Sequence, residues 1–134
     1  MGAWGYRTFE DDSTCDWAED LYDAEKAVPF LRESLTPEAA DGYLEYDDCC
    51  SILGAAETVY ALLFEVRDNP PEKFQEWVQN HRGLDVTDLK PVCVLALNRV
   101  LSENSELNEL WSENSTEYPE WKGNVEHMIH AFNA

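Results

Sequence analysis

Basic residues are scarce in this chain: nine Lys and Arg stand against 28 Asp and Glu in 134 residues, for a formal charge of −19. Phosphate recognition needs a basic stripe, so this balance excludes a generic DNA or RNA binder and disfavours docking on anionic lipid. No apolar run approaches the ~18 residues of a membrane span. Met1-Gly2-Ala3-Trp4-Gly5-Tyr6 lacks the basic start and apolar stretch of a signal peptide, and Tyr6 stands where a myristoylation signal needs Ser or Thr. A cytoplasmic protein is the expectation. No C-x-x-C pair, zinc-protease order, EF-hand spacing or Gly-rich phosphate loop occurs. No run alternates with period two, and no Asn-Gly hairpin turn appears.

What is present reads as helices. Glu10-Asp11-Asp12-Ser13 is a helix start, and Trp17, Ala18 and Leu21 follow on one face. Pro29 marks a break or the first turn of a second helix bearing Phe30, Leu31 and Leu35. Thr36-Pro37-Glu38 reads as a cap and first turn that Gly42 ends. Tyr43–Asp48 is a connector, with Asp47 or Asp48 capping the clearest buried helix: Ile52, Ala55, Ala56, Val59, Leu62, Leu63 and Val66. Gly54, Ala55 and Ala56 leave room there for another helix to approach closely.

Asp68-Asn69-Pro70-Pro71 separates this helix from one carrying Phe74, Trp77 and Val78, which His81-Arg82-Gly83 ends. Thr87 can cap a fifth helix with Pro91 in its first turn. Asn104 or Ser105 opens a short sixth around Leu107 and Trp111. Trp121, Val125, Met128, Ile129 and Phe132 mark the last. The expected fold is all-α: one compact domain over residues 1–134, a bundle of six or seven short helices.

The charge is unevenly distributed. Residues 10–48 hold fourteen acids and two bases, for −12 of the −19. Trp4, Tyr6, Phe9, Trp17, Tyr22, Tyr43 and Tyr46 crowd the acidic first third of the chain, and Trp17 and Phe9 are expected in the core. Tyr43 and Tyr46, lying in a connector between acids, are expected at the surface. Aromatics are frequent interface anchors, and opposite charge speeds encounter. The candidate partner-binding residues are therefore Tyr43, Glu45, Tyr46, Asp47, Asp48, Asp11 and Asp12.

Other chemistry has less to stand on. His127 and His130 lie one turn apart but bring no further metal ligand into view. The carboxylate runs, with Glu57 beyond them, are the usual content of solvated helix caps. Cys49 stands beside acids, which raise a thiol pKa and disfavour a nucleophilic role. Cys15, Cys49, Cys50 and Cys93 are expected as reduced, packed thiols. No catalytic residue, metal ligand or cofactor is assigned.

Met1-Gly2-Ala3-Trp4-Gly5, Phe9-Glu10, Asp12 and Asp16-Trp17 resemble the opening of a family of small bacterial proteins, domain of unknown function (DUF) 4259. The likeness continues through Tyr43-Leu44-Glu45, Asp47-Asp48, Ala55-Ala56-Glu57, Arg99-Val100-Leu101, Ser105-Glu106-Leu107 and Leu110-Trp111. Arg7 stands where a glycine is common, and Asp11 where an Asn is usual. The resemblance implies an all-helical fold and a bacterial cytosolic setting. The family's biochemical role is unassigned, so the resemblance supplies no catalytic residues.

Two function classes follow. One is a non-enzymatic acidic module that binds a basic protein, such as an immunity-type inhibitor covering a toxin or nuclease. The other is a small carboxylate-metal or hydrolytic enzyme, whose constellation the sequence does not display.

Overall fold

Acids and prolines set the helix ends. The computed structural model describes residues 3–134, with Ala40 lacking a described side chain, so Met1 and Gly2 of the opening motif lie outside it. The described chain forms seven α-helices and no strand: α1 (Asp12–Asp23), α2 (Ala27–Leu35), α3 (Tyr46–Leu63), α4 (Glu72–Asn80), α5 (Lys90–Val100), α6 (Glu106–Ser112) and α7 (Tyr118–Asn133). Among the described residues no helix is long and apolar enough to cross a membrane.

Asp11 caps α1 by accepting the Ser13 N–H at 2.8 Å. Pro29 sits in the first turn of α2, where its missing N–H costs no helical bond. Thr36 does not open a turn as expected; it closes α2. Its hydroxyl donates to the Arg32 carbonyl at 2.9 Å, because Pro37 disfavours a helical conformation for the residue before it. A short 3-10 turn at Ala40–Gly42 follows, with Asp41 and Gly42 at positive φ.

α3 begins earlier than the sequence suggests. Glu45 is its cap, and Asp48 works from inside the first turn, accepting the Glu45 N–H at 3.1 Å. The helix also ends at Leu63, short of Val66. The Arg82 guanidinium meets the Ala61 carbonyl of its last turn at 2.5 Å, so an acceptor left over by the helix end is satisfied from α4's far side. Thr87 belongs to a 3-10 turn, Thr87–Leu89, that runs directly into α5. Ser105 caps α6 as expected, accepting the Asn108 N–H at 3.2 Å.

α3 is the central element, packed by α1, α2, α5 and α7. Ile52, Ala55, Ala56 and Val59 on it are fully buried. The indole of Trp17 from α1 lies over Gly54, which is the close approach the small residues permit. Leu31 and Leu35 of α2, Cys93 and Leu97 of α5, and Val125 and Met128 of α7 complete one core.

Two non-helical stitches matter for the sites. The segment before α1 closes on itself through an Ala3–Asp11 bridge and a Trp4 N–H donated to the Glu10 carbonyl at 2.9 Å. It turns Phe9 inward against Phe74, ring centroids 4.5 Å apart. Gly5 leaves room for the Glu10 carboxylate, which would lie 2.5 Å from a Cβ there and would have to swing aside. The second stitch joins the starts of α3 and α6: Leu44 donates its N–H to the Asn104 carbonyl at 2.8 Å and accepts that of Glu106 at 2.9 Å.

Candidate functional site

Packing α1 beside α3 gathers acids that are distant in sequence. Asp16 and Asp20, one turn apart on α1, line an open groove of about 290 Å³ together with Asp47 and Ser51 of α3. Ser13 and the edge of the buried Trp17 complete it. Asp48, one residue beyond Asp47, belongs to a second groove of about 300 Å³ with Glu38, Ala39, Tyr43 and Glu45. The two grooves share the first turn of α3, whose positive dipole end offsets part of the local repulsion. No Lys or Arg is among the described residues lining either groove.

The expected binding residues divide accordingly. Tyr43, Glu45 and Asp48 come together, with the Tyr43 hydroxyl donating to Glu109 at 3.2 Å. Asp47 joins Asp16 and Asp20, neither of which was among the expected binding residues. Asp12 is exposed but lines neither groove.

Asp11 needs correction as a surface contact, and Tyr46 is turned partly inward. Asp11 is only 6% exposed, and Tyr46 is half-buried with its hydroxyl donated to Asp11 Oδ2. A capping carboxylate must face its own helix N–H groups. Here Oδ1 serves Ser13 while Oδ2 receives Tyr46, so both side chains are directed at each other.

A second, chemically different site lies behind the N-terminal segment. Trp4, Arg7, Thr8, Glu10, Glu57, Arg67 and the Asp68–Pro71 connector line a cleft of about 240 Å³. At its floor Glu57 is 5% exposed. It accepts the Thr8 hydroxyl at 2.9 Å and a two-point contact from Arg67, Nη2 to Oε1 at 2.5 Å and Nε to Oε2 at 3.1 Å. Burial pushes the Glu57 carboxyl above its ordinary pKa; the Arg67 charge and the hydrogen bonds from Arg67 and Thr8 pull it only part of the way back.

Asp68 lies between two guanidinium groups, 3.7 Å from Arg7 Nε and 3.8 Å from Arg67 Nη1. Asp68 and Asn69 both hold left-handed backbone, φ 59° and 50°. These residue types tolerate it best after glycine.

Sequence reasoning touched Glu57 only as an outlier of the carboxylate runs. A usable signal was its place beside Ala55, Ala56 and Val59 on a buried helix, where a carboxylate demands a cationic partner. Nothing in the sequence named Arg67 as that partner. Trp4, Glu10 and Glu57, all within the runs that carry the family resemblance, meet at this cleft.

The remaining candidates stand apart. His127 Nε2 lies 3.3 Å from the Tyr60 hydroxyl, and His130 lines a different groove beside Glu126. No group of three or more His, Cys, Asp or Glu among the described residues is placed to hold a metal ion. The four cysteines are free thiols. Cys49 has its pKa raised, but chiefly by burial, with the neighbouring Asp48 a lesser cause. Its sulfur is 3.3 Å from Ser105 Oγ.

These features define an all-helical single domain with a twice-grooved acidic face and a separate arginine–glutamate cleft. The chain belongs to the family described as domain of unknown function (DUF4259), whose model matches residues 2–124. No curated protein and no solved structure matches it.

Proposed function

We propose that the protein is a non-enzymatic acidic binding module whose partner is a basic protein, and that its action is of the immunity type: covering the basic surface of a toxin or nuclease. The observation that carries this reading is the pair of adjoining grooves at the start of α3. Six carboxylates, Asp16, Asp20 and Asp47 in one and Glu38, Glu45 and Asp48 in the other, line them with no Lys or Arg. Such a face attracts Lys and Arg side chains over several ångströms and rejects acidic partners. Tyr43, half-buried between the two acidic stretches, offers a flat ring at the same place. A net charge of −19 adds a long-range attraction for any basic protein.

The test begins with capture of a partner at low salt, followed by association kinetics of that partner at two salt concentrations. Association should slow steeply as salt rises. Asp16→Asn, Asp20→Asn and Asp47→Asn combined should slow it further and flatten the salt dependence, with helicity unchanged by circular dichroism. Association indifferent to salt, or an interface mapped to residues 70–101, would rule the reading out.

A further inference from the structure

We propose that the cleft behind the N-terminal segment is a binding site for a small zwitterion, a free amino acid with an apolar side chain. Besides Asn69 and Glu10, whose carboxylate accepts the Arg7 N–H at 3.2 Å, its polar groups form two sets. At the floor the Glu57 carboxylate is engaged by Arg67 and Thr8, and Arg67 also reaches the Asn124 carbonyl and Asp68. Arg7 and Asp68 at the mouth are differently placed. Their closest approach is 3.7 Å, outside hydrogen-bond distance, and neither side chain makes a hydrogen bond among the described residues. Both are accessible, with 48% of the Arg7 side chain and 33% of the Asp68 side chain exposed. Ion pairs longer than a hydrogen bond, and the Tyr6 ring 5.4 Å under the Arg7 guanidinium, leave the hydrogen-bonding capacity of one donor fork and one carboxylate open to a carboxylate and an ammonium group at neighbouring positions.

The walls suit an apolar side chain. Trp4 is 62% exposed, which is unusual for so large a ring, and Pro70 and Pro71 line the same cleft. A volume of about 240 Å³ suits a molecule of amino-acid size and is small for a larger cofactor.

Charge then selects among ligands of this size. A simple anion must approach a protein of charge −19. A simple cation must sit against Arg7 and Arg67. A zwitterion meets both signs locally and feels little net force at long range. The left-handed backbone at Asp68 and Asn69 accompanies a carboxylate placed at the mouth, between Arg7 and the outer nitrogen of Arg67.

The experiment is an amide chemical-shift titration of the intact protein with three probes: L-phenylalanine, 3-phenylpropionate and phenethylamine. L-Phenylalanine should give saturable shifts at Arg7, Thr8, Asp68 and Asn69. Each single-charge analogue should bind roughly tenfold or more weakly, since each leaves one charged hydrogen bond unmade. Arg7→Gln should weaken L-phenylalanine by a similar factor and leave the circular dichroism spectrum unchanged. Trp4→Ala, at an exposed position, should weaken all three probes together. No saturable shift at millimolar ligand, equal binding of the three probes, or wild-type affinity in Arg7→Gln would each overturn the proposal.

Discussion

The indole of Trp17 fills the space that a side chain at Gly54 would need, since a Cβ there would lie 2.5 Å from Trp17 Cε3. Trp17 cannot easily withdraw. Its Nε1 donates to Ser34 Oγ at 3.0 Å, and its ring packs against Phe30. Alanine at a mid-helix glycine ordinarily stabilises by ~0.5–1 kcal/mol, whereas overpacking a core costs ~1–3 kcal/mol. Gly54→Ala should therefore lower stability in urea unfolding, by about 1–2 kcal/mol once the helix gain is offset. Unchanged or increased stability would show that the α1–α3 contact is loose.

Tyr46→Phe tests the inward reading of that residue. The substitution leaves Asp11 Oδ2 without the hydroxyl it accepts. An unsatisfied buried acceptor costs ~1–3 kcal/mol. Asp47→Asn, at an exposed groove position, should stay within about 0.5 kcal/mol of the wild type. Equal effects of the two substitutions in chemical denaturation would refute the assignment.

Stability should rise as pH falls below 7 at low salt, and added salt at pH 7 should raise the melting temperature. The first cause is self-repulsion of a −19 chain, relieved by protonation or screening. The second is Glu57. Its carboxyl is raised in the folded state, so the folded protein holds that proton more tightly than the unfolded chain. Its contribution is fully present below the unfolded value and is lost as pH climbs through the folded one. Asp85, lowered mainly by hydrogen bonding from the Thr87 N–H, works in the opposite sense and is lost as pH falls through its folded value. In Glu57→Gln the decline in melting temperature towards pH 7 should be shallower than in the wild type. A wild-type melting temperature that falls steadily from pH 7 to 5 would show that capping carboxylates dominate.

Thiol titration should separate the cysteines. Burial pushes Cys50 well above the usual thiol range and Cys93 to about 12, and Cys49 is raised for the same chief reason. Cys15 is raised too, but it is only half-buried, with its sulfur on the Phe9 carbonyl. Native protein should expose at most Cys15 to a thiol reagent, whereas denatured protein without reductant should release four thiols. Two or no thiols on denaturation would contradict the free-thiol assignment.

The helices were legible because each carries a strong local signal: the apolar rhythm of α3, the acids before α1, Ser105 before α6. Their ends were less legible. A cap can act from within the first turn, as Asp48 does, and a helix can stop where a distant Arg82 takes up its carbonyl. The acidic face was visible as a composition bias, but its grooves depend on Asp16 and Asp20 meeting Asp47 across two helices. The inward hydroxyl of Tyr46 was not legible because a connector between acids looks solvated until its partner, Asp11, folds in from thirty-five residues away. The cleft was invisible because its two charged floor residues belong to different segments and its walls join Trp4, near the chain's start, to the Pro70–Pro71 connector.

The stitch between the starts of α3 and α6 predicts an order of assembly. α6 has seven residues, well below the ~12–15 at which an isolated helix becomes even marginal in water. Its first turn leans on Leu44, and Glu106 Oε1 accepts the Tyr46 N–H across sixty positions of sequence. Closing so long a loop is entropically repaid only when the start of α3 is already in place. α6 is thus expected to form late, and the amide protons of Leu44 and Glu106 should exchange with solvent together, on the timescale of a single shared opening.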